Sequence, residues 1–249
     1  MIGTLSHDLY AERRRLQQRV RVREVLFGAL DGLVEPLGVV SGVAGATASS
    51  AVVALVGVAT GLAGALSMAA GGYLAAKAQS EVHAAAMHAE RREVSLAPEE
   101  ATEEMERLLE LEGLLPQDAH TVVTALRKHD EVLWRTMVEK ELGIPVEASS
   151  PPLSDAMLMG VSYLVASVVP VSPFLFLEAS QAWMASLALT LVAMGSLGVL
   201  KGAATGLKVI PAVAEVVAVG VLSGVGGYLL GRVLPGILAQ VFGLEMPPL

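Results

Sequence analysis

Residues 25–46 read VLFGALDGLVEPLGVVSGVAGA, an almost uncharged run that is interrupted only by Asp31 and Glu35. Its length matches the roughly 20 apolar residues that a helix needs to cross a bilayer. Residues 51–76 form a second such run, and the small polar residues between the two runs predict a tight turn. Residues 156–249 are long and apolar enough for three more, which we place at 157–177, 182–200 and 210–234. The sequence therefore predicts an all-α membrane protein with five transmembrane helices.

The formal net charge of −8 is unevenly distributed along the 249 residues. Residues 1–24 hold six basic and three acidic side chains, whereas residues 78–155 hold seven basic and seventeen acidic ones. This composition excludes a disordered chain and a uniformly basic nucleic-acid binder, so no nucleic acid is expected as a partner. The absence of cysteine excludes disulfides, thiolate metal sites and a cysteine nucleophile.

The distribution of Lys and Arg predicts the orientation in the membrane, because these residues concentrate in cytoplasmic flanks. The six arginines of the basic segment 1–24, which we expect to be amphipathic, place the N-terminus inside. Two spans then return the chain to the cytoplasm. Residues 78–155 are thus expected to form an acidic cytoplasmic three-helix domain between spans two and three, with helices near 81–94, 98–112 and 116–142. Five spans put the C-terminus on the opposite side.

Asp31 and Glu35 lie four residues apart and so share one face of the first helix. A carboxylate in the bilayer core is costly unless it faces a cavity or a partner, so such acids indicate a functional site. Pro36 weakens the helix beside them. Met68 lies at nearly the depth of Asp31 on the antiparallel neighbour, and carboxylate with thioether suits a divalent transition metal. The ordinary alternatives are hydration of the acids near the interface and packing of Met68 in the bundle.

Glycines recur at four-residue spacing in the predicted spans: Gly28/Gly32, Gly38/Gly42, Gly57/Gly61, Gly220/Gly224 and Gly227/Gly231. Pairs of this kind let helices approach closely. They predict a tightly packed bundle and leave open a seam between two copies of the chain.

Two motifs in the first two runs resemble the signatures of the vacuolar iron transporter family, specifically of its bacterial-type members. The first is FGALDGLV at 27–34 followed by GVVSGVAG at 38–45, and the second is SMAAGGYLAAK at 67–77. Weaker matches follow at 170–174 and 226–231. The resemblance covers nearly the whole chain from about residue 20. It implies a homodimeric carrier, not an enzyme, that moves Fe²⁺, and also Mn²⁺, out of the cytosol in exchange for protons. For a bacterial-type member the membrane would be the plasma membrane.

The same resemblance implies particular metal ligands. Asp31 and Met68 match the pathway ligands of the family's first two spans. In the cytoplasmic domain the implied ligands are Glu90 and Glu93, Glu100 or Glu103 together with Glu104, and Met137 with Glu141. His83 and Met87, four residues apart on the helix before Glu90, are candidate additional ligands. These ligand types also suit Co²⁺ and Zn²⁺, so the sequence does not select one metal.

The chain departs from the family pattern at three positions. Ala101 stands where a second-helix acid is expected, Val138 replaces a methionine, and Thr60 replaces an acidic residue of the second span. Glu35, by contrast, stands where the family usually has a small or apolar residue. We therefore hypothesise that Glu35 supplies the carboxylate missing at Thr60, because both positions fall near mid-membrane.

Two other functions compete with transport at this stage. A membrane-anchored ferritin-like iron store would need Glu-x-x-His pairs on its helices, and the sequence contains none. A receptor or scaffold that docks partners on the acidic domain would leave Asp31 and Glu35 without a role. The absence of a P-loop motif argues against direct coupling to ATP.

Overall fold

A computed structural model describes residues 2–146, 152–205 and 208–242, and the side chains of 21–146, 153–203 and 208–241. These residues form, in chain order, α1 (Ile2–Ala46), α2 (Ser50–Leu96), α3 (Pro98–Leu111), α4 (Pro116–Leu126), α5 (Asp130–Lys140), α6 (Pro152–Val171), α7 (Ala179–Thr205) and α8 (Val209–Phe242). A 3-10 turn, Ser172–Leu175, follows α6. Within the described residues there is no β-strand, which confirms the all-α prediction.

Five segments are long and apolar enough to cross a membrane: Arg21–Ala46, Ser50–Leu96, Leu153–Leu175, Ala179–Ala203 and Val209–Val241. The prediction of five membrane-spanning helices is confirmed. Most of these segments extend beyond the predicted spans because the helices continue into flanking polar residues. The basic N-terminal segment continues α1 back to Ile2. Its side chains before Arg21 lie outside the described ones, so its amphipathic character stays a prediction.

The chain divides into two compact units. The membrane unit comprises Met1–Tyr73 and Pro151–Leu249, and the insert unit comprises Leu74–Ser150. Helix α2 runs through both units over 47 residues. At 1.5 Å per residue it is about 70 Å long, more than twice the ~30 Å thickness of the hydrocarbon layer. Helix α2 is therefore longer than one crossing of the bilayer requires.

The membrane unit is built around α1, which packs on α6 and α8 through glycines. A Cβ added at Gly32 would lie 2.3 Å from the carbonyl oxygen of Tyr163, and one at Gly231 would lie 1.7 Å from that of Gly42. Real Cβ atoms do not approach so closely, so these helices can pack backbone to backbone only because the residues are glycine. The predicted glycine pairs thus serve packing within one chain.

The insert unit has its own apolar core beside residues 74–96 of α2, which we call the α2 extension. The core consists of Val94, Ala101, Met105, Leu109, Ala119, Val123, Leu133 and Met137. Helix α3 ends before Gly113, whose φ of 107° is left-handed and suits glycine. The predicted single helix over 116–142 is wrong: the structure has α4 and α5, which are separated by residues 127–129. Asp130 and Glu131 start α5 with two negative charges at its N-terminus, a favourable arrangement.

Candidate metal pathway and carboxylate cluster

Asp31 and Glu35 lie in the middle of the first span. The midpoint of the 26-residue segment Arg21–Ala46 falls between residues 33 and 34, so both acids lie within about 4 Å of it along the helix axis. Asp31 is half-buried and Glu35 is exposed on the surface of the membrane unit. The two carboxylates are close enough to interact electrostatically. Their depth favours a functional site over simple hydration at the membrane surface.

Tyr163 of α6 is a polar partner of this pair that the sequence analysis missed. Its side chain is fully buried, and its hydroxyl donates a hydrogen bond of 2.6 Å to Oε2 of Glu35. It also interacts electrostatically with Asp31. A single tyrosine in an apolar span carries no periodic signal, so only the packing of α6 on α1 reveals this contact.

Met68 lies half-buried on α2. Its neighbour Ala69 packs against Gly160 of α6: a Cβ added at Gly160 would lie 2.8 Å from the Cβ of Ala69. Within the described residues, no hydrogen bond joins Met68 to Asp31 or Glu35. The structure therefore groups Asp31, Glu35 and Tyr163. The role of Met68 as a pathway ligand stays a prediction.

In the insert unit, three acids surround the buried carboxyl group of Glu90. Glu90 is only 5% exposed, and one of its oxygens, Oε1, has no hydrogen-bond partner. Burial, followed by repulsion from Glu141, Glu93 and Glu104, raises the pKa of Glu90 to about 7. Burial, followed by repulsion from Glu104 and Glu93, also raises the pKa of Glu141. A cation placed among these groups would relieve the repulsion.

The position of α5 relative to the α2 extension is set by contacts of one tryptophan. Trp134 donates a hydrogen bond of 3.3 Å from Nε1 to the carbonyl oxygen of Met87. The guanidinium of Arg91 lies 4.8 Å from the centroid of the Trp134 ring and forms an ion pair of 2.9 Å with Glu131. Glu141 caps the C-terminus of α5 and follows Trp134 by seven residues, or two helical turns, so it continues the helix face that carries Trp134. These contacts thus help to bring Glu141 towards Glu90.

The remaining predicted ligands of the insert unit do not contribute to the repulsion that acts on Glu90 and Glu141. Glu100 and Glu103 are exposed, and Glu103 pairs with Arg107 at 3.6 Å. Met137 is buried in the apolar core, as is Ala101 at the position where the resemblance implies an acid. His83 and Met87 are half-buried. Among the described residues, no three His, Asp or Glu side chains stand close enough to hold a metal ion as they are.

The fold and these acids define the class of protein. Five membrane-spanning helices, a carboxylate pair at mid-membrane and a group of clustered acids in a second unit are typical of an ion transporter.

The comparison with known proteins identifies the family. Residues 22–232 match the family model described as the VIT family, and the chain belongs to this family. It is 33% identical over 214 residues to vacuolar iron transporter 1 of Arabidopsis thaliana, an alignment that covers 86% of each chain. It is 32% identical over 217 residues to vacuolar iron transporter 1 of Tulipa gesneriana, covering 87% of this chain and 88% of the relative. A vacuolar iron transporter of Plasmodium falciparum is 25% identical over 251 residues, covering 94% and 92%.

The family membership confirms the resemblance seen in the sequence. The named relatives are transporters, which also confirms the expectation that the chain is not an enzyme. They do not favour the alternatives of a ferritin-like store or a scaffold.

Proposed function

We propose that this protein is a secondary transporter that moves Fe²⁺ out of the cytosol in exchange for protons. The observation that carries the proposal is the Asp31–Glu35 pair at the middle of a membrane span in a member of the VIT family. The relatives named as vacuolar iron transporters support iron as the cargo. Mn²⁺, Co²⁺ and Zn²⁺ are further candidate cargoes, because the same ligand types bind them.

In this proposal the insert unit collects the metal ion. Glu90, Glu93, Glu104 and Glu141 repel one another, and a divalent cation would reduce that repulsion. Met137 offers a thioether, although its sulfur would have to leave the apolar core to reach an ion. The exposed Glu100 and Glu103 attract cations to the unit rather than ligating them, and His83 and Met87 stay candidate additional ligands.

The membrane pathway then uses Asp31, Glu35 and Met68. A carboxylate at mid-membrane can hold either a cation or a proton, so the two can exchange at the same oxygen atoms. Protons that enter from the side opposite the cytosol would release the metal ion there. Glu35 takes the place of the family acid that Thr60 lacks, and its exposure on the membrane unit makes it reachable.

Topology and assembly complete the proposal. The N-terminus and the insert unit face the cytosol, and the C-terminus lies on the other side, as the distribution of arginines predicts. A second copy of the chain covers the surface that carries Glu35, because lipid is a poor neighbour for an exposed carboxylate. The plasma membrane, expected for a bacterial-type member, stays a prediction, and the relatives are named for the vacuole.

Reconstituted vesicles test this function. The purified chain in liposomes with an imposed pH gradient should take up Fe²⁺, kept reduced with ascorbate, as reported by an entrapped iron-sensitive dye. Asp31→Asn should abolish the uptake, whereas Glu178→Gln, at an exposed acid between α6 and α7, should leave it unchanged. If the wild-type protein shows no uptake that depends on the gradient, the proposed function is wrong.

A further inference from the structure

Tyr163 and Glu35 form a contact that crosses between two helices at mid-membrane. The Tyr163 hydroxyl lies 2.6 Å from Oε2 of Glu35, a distance typical of a strong hydrogen bond to a carboxylate. From this geometry we propose that Tyr163 is a positioning residue of the membrane pathway, which holds Glu35 in the orientation that meets the metal ion. The proposal rests on the proposed function and adds a residue to it.

Because Tyr163 is buried, its hydroxyl depends on the hydrogen bond to Glu35. The side chain is fully buried in the membrane unit, where a hydroxyl without a partner is costly. Glu35, in contrast, is exposed at the surface of this unit, and a glutamate there has several free side-chain torsions. The hydrogen bond ties this mobile carboxylate to a fixed group. It engages Oε2 and leaves Oε1 available to a cation.

The backbone around Tyr163 is shaped to hold the phenol in place. A Cβ at Gly64 of α2 would lie 2.2 Å from the Tyr163 hydroxyl oxygen and 2.4 Å from Cζ of its ring. The absence of a side chain at Gly64 therefore leaves the space that the phenol end fills. On the other side, Gly32 of α1 allows the backbone of Tyr163 to come close, so that its hydroxyl can reach Glu35 one turn away. Three helices thus fix the hydroxyl.

This arrangement separates the role of the ring from that of the hydroxyl. The ring fills space between α1, α2 and α6, and a phenylalanine would fill it equally. The hydroxyl alone reaches Glu35. A purely structural role predicts that Tyr163→Phe is silent in transport, whereas a positioning role predicts that it weakens metal binding in the pathway.

Initial rates of gradient-driven Fe²⁺ uptake in liposomes test the proposal. Tyr163→Phe should raise KM for Fe²⁺ about tenfold, the size expected when a hydrogen bond to a charged group is lost, with Vmax changed by less than about twofold. Tyr228→Phe is the matched control, because Tyr228 stacks on Trp183 with ring centroids 4.2 Å apart and phenylalanine keeps that contact. Gly64→Ala, which places a methyl group where the phenol end lies, should raise KM in the same direction.

A double-mutant cycle shows whether Tyr163 acts through Glu35. In a Glu35→Ala background, which removes the acceptor that a glutamine would keep, Tyr163→Phe should cause no further rise in KM. A Tyr163→Phe protein that matches the Tyr228→Phe control, or one whose tenfold effect persists without Glu35, overturns the inference. If Tyr163→Phe is not recovered folded, Gly64→Ala and its combination with Glu35→Ala give the same two readouts.

The outcomes also separate this inference from the function on which it rests. If Asp31→Asn abolishes uptake while Glu35→Gln and Tyr163→Phe transport like the wild type, the protein is a transporter and Tyr163 is not a positioning residue. If the wild type shows no gradient-driven uptake, the proposed function itself has failed.

Discussion

Glu90 destabilises the insert unit when its carboxyl group is ionised. Burial and three neighbouring acids raise its pKa to about 7, well above the usual range of a glutamate. A carboxyl whose folded pKa is raised stabilises the fold only while it is protonated. This contribution is fully present below pH ~4.5 and is lost as the pH rises through about 7. Without metal, the insert unit should therefore be less stable at pH 8 than at pH 5.

We predict that Glu90→Gln stabilises the metal-free insert unit at pH 8, by on the order of 2 kcal/mol, and changes little at pH 5. The amide keeps the shape of the side chain and removes the charge that the site repels. Hydrogen exchange of the α3 and α5 amides in the full-length protein measures the effect. Glu100→Gln, at an exposed position on α3, is the control and should show no such pH dependence. Equal stabilisation by Glu90→Gln at both pH values would contradict the prediction.

The sequence predicted some of these residues better than others, for physical reasons. Asp31 and Glu35 stand out because a charge in an apolar run is rare and costly. Glu100, Glu103 and Glu104 are neighbours on one short helix, and their sequence spacing leaves open which of them turns towards Glu90. The buried positions Ala101, Met105 and Leu109 fix the rotation of α3, and Glu104 then joins the group around Glu90. Tyr163 could not be predicted, because its contact with Glu35 depends on the packing of α6 on α1 and no local sequence pattern encodes that packing.

At the scale of elements, the boundary between α4 and α5 is marked by a signal in the sequence. The polar residues 127–129 precede Asp130 and Glu131, which is a helix-start pattern. The prediction of one helix over 116–142 took no account of this pattern. The break gives α5 its own direction, so that Trp134 can dock on the α2 extension.

We predict that Trp134→Phe destabilises the docking of α5 by about 1–2 kcal/mol. The variant loses the hydrogen bond to the Met87 carbonyl and weakens the contact with Arg91. Faster hydrogen exchange of α5 and weaker Mn²⁺ binding to the full-length protein should result. Trp183→Phe, at the other tryptophan of the chain, lies in the membrane unit and should leave α5 unchanged. Unchanged exchange in Trp134→Phe would show that these contacts do not hold α5.

The pairing of α1 with α8 depends on the absence of side chains at their crossing. We predict that Gly231→Ala lowers the stability of the membrane unit by about 1–3 kcal/mol, because its Cβ would lie 1.7 Å from the Gly42 carbonyl oxygen and the helices must separate. Thermal unfolding in detergent measures the loss. Gly236→Ala on the same helix is the matched control, because a Cβ there meets nothing within 4 Å. A Tm of Gly231→Ala equal to that of Gly236→Ala would contradict close packing at this point.

At the scale of the whole molecule, the candidate site residues are divided between the two units, and helix α2 belongs to both. The spans of the membrane unit hold few charges, and among them are the carboxylates of Asp31 and Glu35. The insert unit holds most of the acids, and many of them are exposed. Apolar run lengths predicted the number of spans because the bilayer sets a minimum length for each. They did not set where α2 ends, but the helix predicted over 81–94 is confirmed as the continuation of α2, which runs without a break up to Leu96.

The excess of acids in residues 78–155, seventeen against seven basic side chains, should act as a field as well as a set of ligands. Such a field raises the local concentration of cations and speeds their association, and salt screens it. We predict that the association rate of Mn²⁺ with the insert unit of the full-length protein falls about fivefold between 10 and 150 mM salt. Stopped-flow fluorescence of Trp134 in a Trp183→Phe background measures this rate, because Trp134 contacts the α2 extension one turn from Glu90.

Variants at exposed acids that are not ligands distinguish the electrostatic attraction of the cation from its binding at the site. Glu100→Gln combined with Glu110→Gln removes two exposed charges of α3 and leaves Glu90 and its neighbours intact. This variant should bind Mn²⁺ more slowly at 10 mM salt and equally fast at 150 mM, with the same dissociation rate throughout. Glu178→Gln removes one charge from the membrane unit and should change neither rate. A slower association that persists at high salt, or a faster dissociation, would mean that Glu100 or Glu110 ligates the metal, as the sequence alone allowed for Glu100.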